Sequence, residues 1–317
     1  MDSFTLSTKL IIQNRFSEFP DELLDQIFSY LPAKDIVRTS ALSKRWRCLW
    51  TSFNFISFDF DPWNEEEEEA TSFLDLIQRE LLIPDNECIR KLRLHLDMHG
   101  PFYTYSNVMM PMSLVSKAAK HQLAELDLSF RHIWESSALS LITSLKLCLT
   151  PAAPPIYNIP TSIRFPRLKA LYLICAKFQN EHSAQLLFSA CPVLKELLVD
   201  KCSWNKINGV TISIFTLHTL TIYHHVASNY CLKIRYCSNL RFFKLWSDSL
   251  FEIEICSLPF PCYARVEIMP WGPLYKQVQL AHCTLKLLES LCPSAKFLRL
   301  SHGTLQVLPS FQFPSFT

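Results

Sequence analysis

Glycine is nearly absent from this chain of 317 residues. There are four, Gly100, Gly209, Gly272 and Gly303. Glycines this far apart exclude a G-x-G-x-x-G dinucleotide fingerprint, a G-x-x-x-x-G-K-[ST] phosphate loop and a G-x-S-x-G nucleophile elbow, each of which needs two or more within a few residues. Net charge is small as well. A formal balance of +2 gives no electrostatic reason to expect nucleic acid, which is bound through clustered Lys and Arg. No apolar run reaches the roughly 18 residues of a spanning helix, so no membrane partner is expected. Met1-Asp2-Ser3 does not begin a basic region leading into a long apolar stretch, so no secretory leader is expected either. The 12 cysteines contain no C-x-x-C pair, and spread over this length they read as free thiols in a reducing compartment.

What is present suits a packed globular chain. Apolar residues make up 49% and charged residues 19%, and the length allows one large or two smaller domains. The first ordered segment, residues 16–50, reads FSEFPDELLDQIFSYLPAKDIVRTSALSKRWRCLW. Pro20 suits the first turn of a helix, and Asp21 and Glu22 complement its positive end. Leu23, Leu24, Ile27, Phe28 and Leu31 follow at helical spacing, and Pro32 ends the helix. A second helix is predicted over 34–41, and Ser43 caps a third that carries Trp46, Leu49 and Trp50. Three short helices cannot bury this much apolar surface among themselves. The excess needs another surface, in the rest of the chain or on a second protein.

This segment, F-P-D-E-L-L-x-x-I-F-S-Y-L-P-A-K-D-I-V-R-T-S-A-L-S-K-R-W-R-C-L-W, closely resembles the F-box of the large plant F-box/leucine-rich-repeat families. Phe16-Ser17-Glu18-Phe19-Pro20 stands where I-S-x-L-P is usual. The resemblance implies docking on the small Skp adaptor and, through it, on the cullin and RING subunits of a ubiquitin ligase. By that carry-over Pro20, Leu23, Leu24, Ile27, Leu31, Pro32, Ile36, Val37, Leu42, Trp46 and Trp50 lie in or near the docking surface.

Residues 61–69, Asp-Pro-Trp-Asn followed by five Glu, read as a solvated linker, and 70–83 as a short amphipathic helix. From Ile89 onward a pattern repeats, apolar at a start position and again three and five residues later. The starts are Ile89, Leu123, Ile142, Leu168, Leu194, Leu217, Leu240, Tyr263 and Ala295, with a degenerate first copy at Phe53. Most steps fall in the window of leucine-rich repeats, whose signature opens L-x-x-L-x-L. The slot three residues before the last six starts holds Phe165, Cys191, Ile214, Cys237, Phe260 and Cys292, and residues 186–199 and 287–300 align without a gap. Such repeats bury a core only by stacking. At about 4.8 Å per strand, ten strands make an arc of roughly 40–45 Å, enough to hold a folded partner. The prolines at 151–160 mark an inserted loop. Gly209 and Gly303 read as turns.

The repeat order extends the resemblance to the F-box/FBD/LRR proteins. Residues near Leu308-Pro309 fall about where the approach to their C-terminal FBD domain begins, so the resemblance is either to a naturally short member or to a truncated one. The expected fold is α/β, an N-terminal three-helix F-box followed by a curved leucine-rich-repeat solenoid with a parallel concave sheet. Expected boundaries are a flexible terminus over 1–15, the F-box over 16–60, linker and helix over 61–85, repeats over 86–308 and a tail over 309–317.

Residues that could carry chemistry favour simpler roles. Cys191, Cys237 and Cys292 sit in apolar slots and read as packing. His95-x-x-x-His99 with Cys88 offers one tight ligand pair where zinc sites usually show two, so no metal site is expected. His224 and His225 show no acidic partner by spacing, and Asp127, Asp200 and Glu267 fall in different repeats. The informative set comes from the third, fifth and seventh positions of the repeat, which face the concavity: Tyr172, Ile174, Leu198, Tyr223, Phe242, Trp246 and Met269. Lys244, Arg265 and Arg299 form a polar rim. Such a stripe marks a binding face or a surface covered by loops. The reading is a non-catalytic substrate-recognition subunit with no cofactor, holding an unidentified protein substrate in the cytoplasm or nucleus. The alternative is an interaction scaffold outside a ligase.

Overall fold

The computed structural model describes residues 19–31, 33–39, 46, 55–60, 90–96, 115, 123–128, 140–149, 159, 161–178, 181–204, 209–225, 231–249, 252–256, 258–259, 261–269 and 274–308. The expected N-terminal arm, linker, helix over 70–83, proline loop and tail fall outside these residues. So do Pro32, Leu42, Trp50, Cys88 and His99, and the third F-box helix apart from Trp46. The chain divides into two compact units, Met1–Ala138 and Leu139–Thr317, a division that falls inside the predicted repeat array.

In the first unit, helix α1 spans Asp21–Ser29 and α2 spans Ala33–Thr39. Pro20 stands just outside α1 with ψ 147°, and its carbonyl accepts from the N–H groups of Leu23 and Leu24. Leu24 and Phe28, four residues apart, share one helical face and are fully buried. The Trp46 ring meets Phe28 edge-on at 5.2 Å. In α2, Ile36 is buried while Asp35 and Arg38 pair at 3.2 Å on the outside. Strands β1 (Phe55–Phe60), β2 (Lys91–Leu96) and β3 (Glu125–Leu128) run parallel. Their register aligns Ile56 with Leu92 and Leu126, and Phe58 with Leu94 and Leu128. These are the fourth and sixth positions of the predicted repeats.

The second unit runs β4 (Ser144–Cys148), β5 (Ala170–Ile174), β6 (Lys177–Phe178), α3 (Glu181–Ser189), β7 (Glu196–Asp200), β8 (Ser203–Trp204), β9 (Gly209–Ile212) and β10 (Thr219–His224). It continues β11 (Cys231–Arg235), β12 (Phe242–Ser247), β13 (Glu252–Cys256), β14 (Cys262–Ile268), α4 (Leu274–Leu291), β15 (Ala295–Leu300) and α5 (His302–Val307). The main sheet has the order β4-β5-β7-β10-β12-β14-β15, all parallel. A return element lies between most of these strands. Where the return is short, it is a strand of a second parallel sheet, β9-β11-β13. Where it is longer, it is a helix, α3 or α4. The result is a parallel leucine-rich-repeat solenoid.

Alternation along each strand decides the packing. Leu171 and Leu173, Leu197 and Val199, Leu220 and Ile222, Phe243 and Leu245, and Val266 and Ile268 point inward and are buried. Each such side chain contributes about 1.5–3 kcal/mol. Backbone turns repeat with the strands. The N–H of each start residue, Leu168, Leu194, Leu217 and Leu240, donates to the carbonyl three residues earlier, on Phe165, Cys191, Ile214 and Cys237. All four of these earlier residues are buried.

One repeat is framed differently from the sequence expectation. Leu245 pairs with Val266 and Phe243 with Ala264, which places the start at Pro261 and not at Tyr263. Apolar parity misled the reading, because positions two apart alternate identically. The slot three before Pro261 is filled by buried Leu258, in place of Phe260, which lies outside the described residues. Pro261 has no N–H to close the turn, and the Leu258 carbonyl accepts from the Ser294 hydroxyl at 2.9 Å.

The scarcity of glycine leaves a mark on the backbone. Cys175, Lys201 and Tyr236 follow strands β5, β7 and β11 in the left-handed region, with φ of 55°, 51° and 54°. Glycine would take this conformation without strain, whereas an L side chain costs about 1–2 kcal/mol. Neither glycine expected in a turn is found in one. Gly209 opens β9, where a Cβ would come within 3.2 Å of the Cys231 carbonyl, and Gly303 lies inside α5.

Candidate functional site

The residues expected at an adaptor surface separate by burial. Leu24, Ile36 and Trp46 are enclosed by the chain itself, so they shape the F-box core and are not on a free surface. The sequence could not make this distinction, because it counted apolar residues without knowing that Phe28 and Trp46 pair. Pro20 and Leu23 are exposed, and Ile27 and Leu31 are half-buried. Tyr30, at the end of α1, is 87% exposed and was not singled out by its spacing. Val37 belongs to α2, but its side chain is outside the description.

On the main sheet, Tyr172, Ile174, Leu198, Tyr223, Phe242, Lys244 and Trp246 all alternate away from the core, onto the open face of β5, β7, β10 and β12. Met269 does not join them. With the start at Pro261 it lies beyond the end of β14, and the third position of that repeat is Tyr263. Tyr263 stacks on Phe242 at 5.4 Å and 23°, and on Phe297 at 5.2 Å and 13°. The three rings form a ladder across β12, β14 and β15 and remain 51%, 39% and 57% exposed in the order Phe242, Tyr263, Phe297. Comparing third positions across the last three repeats would have revealed the ladder, had Tyr263 not been read as a core start.

A β-bulge completes it. Cys262 pairs with Ala295, yet Tyr263 pairs with Phe297, so Lys296 is the extra residue. Bulges re-aim side chains, and this one brings Phe297 opposite Tyr263 where Lys296 would otherwise stand. The Lys296 ammonium lies 5.8 Å from the Phe297 ring centroid.

A polar cluster lies toward the C-terminal ends of β7, β10 and β12. Lys244 donates to the Tyr223 hydroxyl at 2.8 Å and sits 4.9 Å from that ring's centroid. His225 packs on Trp246 at 4.4 Å, with Asp248 at 3.3 Å and Asp200 at 3.7 Å from its ring nitrogens. The acidic neighbours that spacing did not reveal come from adjacent repeats. No hydroxyl or thiol among the described residues lies within hydrogen-bond reach of His225. The arrangement packs an imidazole, flanked by two carboxylates, against the Trp246 indole.

The cysteines behave as packing groups. Burial pushes the Cys191 and Cys202 thiols up to about 12, and burial also raises Cys237 and Cys292. Cys191 and Cys237 are enclosed, whereas Cys292 is half-buried. On the second sheet, Cys231 lies within 4.8 Å of Glu252 and Glu254. Its thiol is pushed up to about 11, first by burial and then by Glu254 and Glu252, while Glu254 is shared by Lys233 and Arg235.

Comparison with known proteins matches residues 16–58 to the F-box domain and residues 112–267 to a family described as FBD-associated F-box protein At5g56370, LRR repeats. The chain is similar to the F-box/FBD/LRR-repeat protein At4g26340 of Arabidopsis thaliana, at 29% identity over 89% of this chain and 68% of that one. It is also similar to the putative FBD-associated F-box protein At3g50710 of the same plant, at 31% identity over 66% of this chain and 49% of that one. The chain thus spans between about half and two thirds of these relatives. No solved structure matches. With an F-box match at one end, a repeat-family match over the parallel solenoid and relatives that combine both, the chain belongs to the plant F-box/leucine-rich-repeat proteins.

Proposed function

We propose that this protein is the substrate-recognition subunit of an SCF-type cullin–RING ubiquitin ligase. The F-box docks on the Skp adaptor, which connects to cullin and RING subunits, and the repeats hold a target protein. The observation that carries the reading is the pairing of an F-box with a solenoid whose open face bears exposed stacked rings. The chain performs no chemistry in this account. It brings a target lysine to the ubiquitin thioester at high effective concentration. The work is done in the cytoplasm or nucleus, where the ligase subunits and a reducing environment coincide.

Adaptor capture tests the reading. Wild-type chain is expected to retain a purified plant Skp adaptor and cullin, and Leu31→Ala combined with Pro32→Ala to lose both. Leu23→Asp, an exposed position, is expected to do the same without loss of folded protein. Failure of wild type to bind removes the main support for the proposal.

A further inference from the structure

We infer that the open face of β12, β14 and β15 binds an extended acidic protein segment carrying aromatic or other large apolar side chains. The inference rests on the receptor reading and makes its target-holding part specific. Three rings, Phe242, Tyr263 and Phe297, occupy the third position of three adjacent strands and stay exposed although they stack on one another. The fifth position of the same strands holds Lys244, Arg265 and Arg299, in register with one another. An aromatic row and a cationic row thus run side by side, about 7 Å apart along the strands.

The charges select the occupant. Arg265 is held by Glu267, and Lys244 by the Tyr223 hydroxyl. Arg299 makes no hydrogen bond or ion pair with any described residue. The strip is therefore positive and carries an uncommitted guanidinium, which favours carboxylates with apolar neighbours. The cation-bearing positions are about 4.8 Å apart from strand to strand, and two of the side chains turn to different partners, Lys244 to Tyr223 and Arg265 to Glu267. That spacing suits carboxylates distributed along a chain, whereas a single phosphate takes converging donors. An extended segment advances roughly 3.3 Å per residue, so about four to six residues cover the ladder.

The test uses fluorescence anisotropy with the full chain and short labelled peptides in which Phe alternates with Glu, with Lys, or is replaced by Ser beside Glu. The Glu/Phe peptide is expected to bind, the Glu/Ser peptide about tenfold more weakly, and the Lys/Phe peptide not at all. Phe297→Ser and Arg299→Glu are each expected to weaken the Glu/Phe peptide by about tenfold, and added salt to weaken it further. Because both positions are exposed, thermal unfolding should be unchanged. If Phe297→Ser does unfold the chain, Phe242→Ser gives the same reading. Equal binding of the Lys/Phe peptide, no binding of the Glu/Phe peptide, or wild-type affinity in both variants overturns the inference. Self-association abolished by Phe297→Ser would assign the face to a second copy and overturn it as well. Adaptor capture in the same samples separates the two readings. Adaptor bound without peptide defeats this inference alone, and peptide bound without adaptor defeats the receptor reading alone.

Discussion

On β2 and β3, the open-face positions are charged and satisfied. Lys91 pairs with Glu125 at 3.0 Å and Arg93 with Asp127 at 3.2 Å, so each cation meets an anion on the next strand. On β12, β14 and β15, the equivalent third positions are rings and the fifth are cations, with Glu267 their nearby acid. Both stretches are parallel, and apart from the bulge at Lys296 each keeps an even strand-to-strand register. The main difference lies in which residues fill two slots per repeat. A repeat sheet can therefore close its own surface with cross-strand ion pairs or leave it open to a partner, without altering the stacking beneath.

The largest effect should come from crossing between the two sides of one strand. Phe242 and Phe243 are neighbours on β12, one 51% and the other 1% exposed. Phe243→Ala is expected to cost about 3–5 kcal/mol in urea unfolding, and Phe242→Ala less than about 1 kcal/mol. Similar costs would show that the alternation has been misassigned.

Alkaline pH tests the buried side. Cys191 and Cys202 are raised to about 12 from 9.0 by burial, so the unfolded chain ionises first. Their contribution is fully present below about pH 9 and is lost as pH rises from there to about 12. Unfolding midpoints should fall over that window, and Cys202→Ala should flatten the fall.

The charged stretch supplies the next contrast. Asp127 is buried, so Arg93→Ala should cost about 1–3 kcal/mol, whereas Arg299→Ala should stay within about 0.5 kcal/mol. Equal costs would mean that the cations of both stretches are structural. The smallest expected effect concerns the missing glycines. Tyr236 has φ of 54° and is 74% exposed, so Tyr236→Gly should raise stability by up to about 1 kcal/mol, after the added freedom of the unfolded chain is subtracted.

Much of the solenoid was legible because leucine spacing and strand alternation are one physical fact seen twice. Each predicted repeat contains a strand, and the inward positions of Leu168 through Leu240 are buried as the motif requires. Register failed only where the motif was weak. At Tyr263, apolar residues two apart satisfied the same pattern, and cross-strand pairing alone identifies Pro261 as the start. The second sheet was not anticipated either, since β9, β11 and β13 are short returns that carry no repeat signature of their own. In the F-box, composition gave an excess of apolar surface but not its division. Leu23 and Leu24 are adjacent in sequence, and only the folded helix decides that Leu24 is 1% exposed and Leu23 41%. The partners of His225 were hidden for a related reason, because Asp200 and Asp248 reach it from neighbouring repeats.

The central claim is a division of labour, with α1 serving the adaptor and the ladder of β12, β14 and β15 serving the target. Calorimetric titration of the purified chain with a plant Skp adaptor tests it most directly. The account predicts a one-to-one complex that Leu23→Asp abolishes and that simultaneous replacement of Phe242, Tyr263 and Phe297 by Ser leaves unchanged. Absence of a complex with the wild-type chain, or loss of the complex on removing the three rings from a folded chain, would contradict it.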